Sequence, residues 1–75
     1  MLDFERTRQS MQGHGVTVTS WFDAGKQVWR ASAPAYIHVT HEWPATALQG
    51  PTRLKAVENL TLLLCHYFDG LPANV

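Results

Sequence analysis

The sequence predicts an α+β fold: one small domain in the order α-β-β-β-α, its three-stranded antiparallel sheet packed against a long C-terminal helix. Three observations carry this reading. Residues 16–22, "VTVTSWF", open with β-branched residues, apolar Val and polar Thr alternating at period two, the signature of a strand with one buried side. A second such run, "KQVWRAS", follows after "DAG", a spacing that suits a hairpin with Gly25 in a left-handed position. The segment "GPTRLKAVENLTLLLCHYFDG" has Pro51 near a helical start, Gly70 at a stop, and apolar residues at helical spacing between them.

Taken in order, residues 1–14 read as a short N-terminal helix and loop. "DFERTRQSMQ" contains no Gly or Pro, Asp3 is placed to cap it, and Gly13 or Gly15 to end it. Phe4 and Met11 fall on one side of that helix. Residues 15–43 read as three strands. With Phe22 and Lys26 closing the first hairpin, Thr19 falls opposite Trp29. Val16, Val18, Phe22 and Val28 then form the core side, and Trp21 and Trp29 meet on the other. Residues 35–43 are the third strand, because Ile37, Val39 and Thr40 are β-branched. Residues 44–50 read as a loop. In the helix over 51–69, Leu54, Val57, Leu60, Leu64, Tyr67 and Phe68 share the inward side, while Leu62 projects from the polar side beside Lys55 and His66.

Composition narrows the function. Six basic and six acidic residues cancel among 75, and neither half concentrates positive charge, which argues against strong electrostatic binding to a polyanion. The hydrophobic fraction of 45% with three Trp, three Phe and two Tyr supports a folded core, although a chain this short buries only about 60% of its unfolded surface. Cys65 is the one cysteine, which excludes an internal disulfide and the cysteine-based zinc spacings. The first residues lack the apolar run of a signal peptide, and no stretch reaches the ~18 apolar residues of a membrane span. A reduced, cytoplasmic protein with no membrane association is the expectation.

Candidate chemistry is sparse. His38, His41 and Glu42 lie close in sequence, but a strand sends residues three apart to opposite sides, so no metal site is expected there. Cys65 and His66 diverge by about 100° on a helix and form no dyad. His14, between two glycines, reads as a loop residue. No catalytic set and no cofactor-binding loop can be assembled, so the chain reads as non-catalytic. Arg53 and Lys55 stand in the first helical turn against the helix dipole; that pair is a candidate anion contact.

The expected element order resembles that of the double-stranded-RNA-binding domain, whose last helix opens with a G-x-S-K-K-x-A-K-like segment. "GPTRLKAV" supplies Gly50, Thr52 for Ser, Arg53 for Lys, and Ala56; Leu54 and Val57 stand where that family has lysines. The resemblance implies a nucleic-acid-binding module. The reading preferred from the residues themselves is protein–protein contact, with another protein or a second copy as partner. Trp21, Trp29 and Leu62 are its candidate contact residues.

Overall fold

The computed structural model describes residues 4–70. An antiparallel sheet of four strands, in the order β1-β2-β3-β4, carries one long C-terminal helix. Strands β1 (Glu5–Met11), β2 (His14–Asp23) and β3 (Val28–Ser32) are followed by a 3-10 turn (Pro34–Tyr36), the short α1 (Ile37–Thr40), a second 3-10 turn (Ala45–Leu48), β4 (Gln49–Gly50) and α2 (Arg53–Asp69). The α+β class and the terminal helix match the sequence reading, whereas the order and strand count differ.

The N-terminal segment is a strand, not a helix. Gln12 and Gly13 both have positive φ (53° and 83°), joining β1 to β2 in a two-residue turn of the kind that matches strand twist. Met11 pairs with His14 and Glu5 with Ser20. Helix propensity in "ERTRQSM" is a weak prior, and pairing with β2 overrides it. The strand alternates: Thr7, Gln9 and Met11 face the helix, while Arg6, Arg8 and Ser10 face away. Asp3, the expected cap, lies outside the described residues.

The β2–β3 hairpin also departs from expectation. Asp23 pairs with Val28, and the loop 24–27 between them ends on Gln27 at φ 59°. The Asp23 carboxylate accepts a 3.2 Å hydrogen bond from the Lys26 N–H, which favours this wider loop. Trp29 therefore lies opposite Phe22, and Thr19 opposite Ser32. A register shift by an odd number of residues turns a strand over. Trp29 faces α2, Trp21 faces the opposite side, and the expected tryptophan pair does not exist. Val28 likewise leaves the core side.

Residues 35–43, expected as the third strand, instead form the end of the 3-10 turn, the short α1 and a turn after it. Pro34 opens the 3-10 turn, and the Trp43 N–H donates to the Thr40 carbonyl at 3.0 Å. The ladder position beside β3 is taken by β4, which pairs Gly50 with Trp29 and Gln49 with Arg30. Gly50 is required there. A Cβ at that position would sit 2.9 Å from Lys55 Cβ and Cγ and 3.0 Å from the Ala56 backbone nitrogen.

Helix α2 starts within two residues of its expected position. Thr52 caps it, its Oγ1 accepting from the Lys55 N–H at 3.1 Å, and the Gly70 N–H donates to the His66 carbonyl at 3.1 Å at the other end. Its side of the core is Ala56, Leu60, Leu64 and Phe68, packed on Met11, Val16, Val18, Ala31 and Ala33. Leu60 and Leu64 are fully buried, as expected, but Leu54 is 68% exposed. The helix runs from Gly50 and Trp29 to His14, whose ring stacks on Phe68 at 4.2 Å.

Candidate binding surfaces

Two faces result from this register. On the helix-free face of the sheet, Arg6 and Arg8 of β1, Thr17, Thr19 and Trp21 of β2, and Arg30 and Ser32 of β3 stand side by side. Phe4 continues the row, its ring 5.5 Å from that of Trp21. Arg30 lies 5.9 Å from the Trp21 ring centroid and is ion-paired to Asp23 at 3.3 Å. The hollow at the Trp21 end is lined by Phe4, Arg6, Thr19, Trp21, Ser32 and Pro34, with a volume of about 420 Å³.

On the other side, Trp29 packs against Phe22 at 5.3 Å and beneath the Arg53 guanidinium at 4.5 Å. The Arg53 guanidinium also reaches the Glu5 carboxylate at 3.5 Å. Arg53 thus fastens the first turn of α2 to both β3 and β1, which explains a positive charge where the helix dipole disfavours one. Lys55 does not join it. Its backbone N–H is held by Thr52 and its stem lies against Gly50.

Leu62 belongs to a groove between α2 and the edge strand β1. Gln9, Leu54, Val57, Glu58, Thr61 and Leu62 line a hollow of about 470 Å³. Leu62 is 60% exposed, and Leu54, not singled out from sequence because it was assigned to the core, stands at the other rim. The signal for the groove was the i, i+8 leucine spacing beside Glu58 and Thr61, hidden by the assumption of one continuous apolar side.

His38, His41 and Glu42 lie on the short α1 and the turn after it, not on a strand. His38 and Glu42, four apart around a helical turn, line a hollow of about 440 Å³ with Trp43, His66 and Tyr67. The His41 Nδ1 instead lies 3.0 Å from the Ile37 carbonyl. Among the described residues, no group of three His, Cys, Asp or Glu side chains is arranged to hold a metal ion. Nor is any helix among them long and apolar enough to cross a membrane. No family model, curated protein or solved structure matches this chain.

Proposed function

We propose that this chain is a small non-catalytic binding domain that works by protein–protein contact, with a second copy of itself as the partner. The observation that carries the reading is the β1/α2 groove, where two exposed leucines flank an apolar hollow. Because the same patch offers both the protruding side chains and the hollow, it is suited to the self-complementary contact of a two-fold dimer. With two α2 helices antiparallel about an axis near Glu58, Leu54 of one copy meets Leu62 of the other. Pairing through the β1 edges is disfavoured. The full-length register that keeps both helices on one side sets Arg8 against itself, and like charges directly opposite are destabilising.

Sedimentation velocity over a concentration series tests this. The wild type sediments faster as concentration rises, and a Leu54→Glu/Leu62→Glu variant does not. The variant retains the helical circular dichroism of the wild type, because both side chains are exposed. A wild type that stays monomeric up to about millimolar concentration, the weak limit of a meaningful contact, contradicts the proposal.

A further inference from the structure

We propose that the helix-free face of the sheet binds single-stranded nucleic acid, its bases stacking at Phe4 and Trp21 and its phosphates meeting Arg6 and Arg8. The chain is neutral as a whole, but this face is not. Among the described residues it presents Arg6, Arg8 and Arg30 against one carboxylate, Asp23, and that carboxylate is already paired with Arg30. Glu5 faces the helix side, and Glu42 and Glu58 line hollows on that side. A net-neutral sequence therefore hides a cationic surface, created by strand alternation and invisible to a count along the chain.

The geometry supplies more than charge. Arg6 and Arg8 stand two positions apart on one strand, about 6.7 Å along it, and both are exposed. Gly15 lets the Arg8 guanidinium lie flat on the sheet, since a Cβ at that position would approach Arg8 Nη2 to 2.7 Å. At the other end, the hollow beside Phe4 and Trp21 combines two aromatic rings with the Arg6 guanidinium and the hydroxyls of Thr19 and Ser32. Aromatic rings on an open sheet, flanked by cations that follow a backbone, are the arrangement that stacks unpaired bases with little sequence preference. A duplex offers no free base face to these rings, and an acidic polypeptide gains nothing from them.

Fluorescence anisotropy of the full chain with a labelled oligothymidylate tests the assignment. Affinity falls with salt at a log–log slope near −1.4, two phosphates at about −0.7 each. Trp21→Leu weakens binding by about fivefold or more, the loss expected for one stacked base. Arg6→Ala/Arg8→Ala removes most of the salt dependence, whereas Lys55→Ala, on α2, leaves it in place. Three results would each overturn the proposal: no binding at about 25 mM salt, where phosphate contacts are strongest; duplex of the same sequence bound as tightly as single strand; or the Trp21 and double-arginine variants both binding like wild type.

Discussion

Leu60 and Leu54 illustrate how little the identity of a residue says until its position is fixed. Both are leucines of α2, yet one is fully buried and the other 68% exposed. Leu60→Ala and Leu64→Ala should each lower stability by about 2–5 kcal/mol in urea unfolding, since each leaves a cavity in the centre of the core. Leu54→Ala should change it by less than about 0.5 kcal/mol. Thr52 is a second sensitive residue. Thr52→Ala removes the acceptor of the Lys55 N–H, at a cost of about 1 kcal/mol, and Thr52→Ser should restore most of it. Trp29 owes its surroundings to Arg53 more than to any apolar neighbour in sequence. The cation over its ring, 4.5 Å away, is a contact between residues far apart in the chain.

At the scale of elements, α2 approaches β4 closely at Gly50. Gly50→Ala places a methyl group within 3.0 Å of the Ala56 backbone nitrogen, which cannot rotate aside as a side chain can. Melting curves should show a loss of about 1–3 kcal/mol, the usual cost of overpacking. Strand β1 is a sheet edge, and its arginines guard it against pairing with other chains. Arg6→Thr/Arg8→Thr should therefore aggregate faster than the wild type, as read by light scattering. The sequence revealed α2 and β2 because their periodicities extend over many residues and agree with their caps and turns. It concealed β1, whose alternation of Thr7, Gln9 and Met11 with Arg6, Arg8 and Ser10 is mostly polar on both sides. It misdirected at residues 35–43, where β-branched side chains have no neighbouring strand to pair with. The "DAG" spacing predicts a three-residue loop where four residues turn, and the odd slip in register that results inverts every side chain that follows, separating the two tryptophans. The candidate surface suffered accordingly: Leu62 was visible as an exposed leucine, but its groove depends on β1 being a strand.

At the scale of the molecule, one long helix covers one side of a four-stranded sheet, and two surfaces remain without a partner among the described residues. The cationic aromatic face lies on the bare side of the sheet, and the leucine groove lies where α2 stops short of covering β1. Being separate, they allow one copy to engage a partner chain without blocking the sheet. The central claim is the two-fold contact through α2, and disulfide trapping reads it directly. In a Cys65→Ser background, Leu54→Cys and Leu62→Cys chains are mixed and oxidised, with Thr17→Cys on the opposite face as the control. The account predicts that the mixed 54–62 disulfide exceeds each same-residue product by well over the twofold that random pairing gives, and exceeds the control. Cross-linking no greater than that of the Thr17→Cys chain, or dominated by 54–54 and 62–62 products, would contradict it.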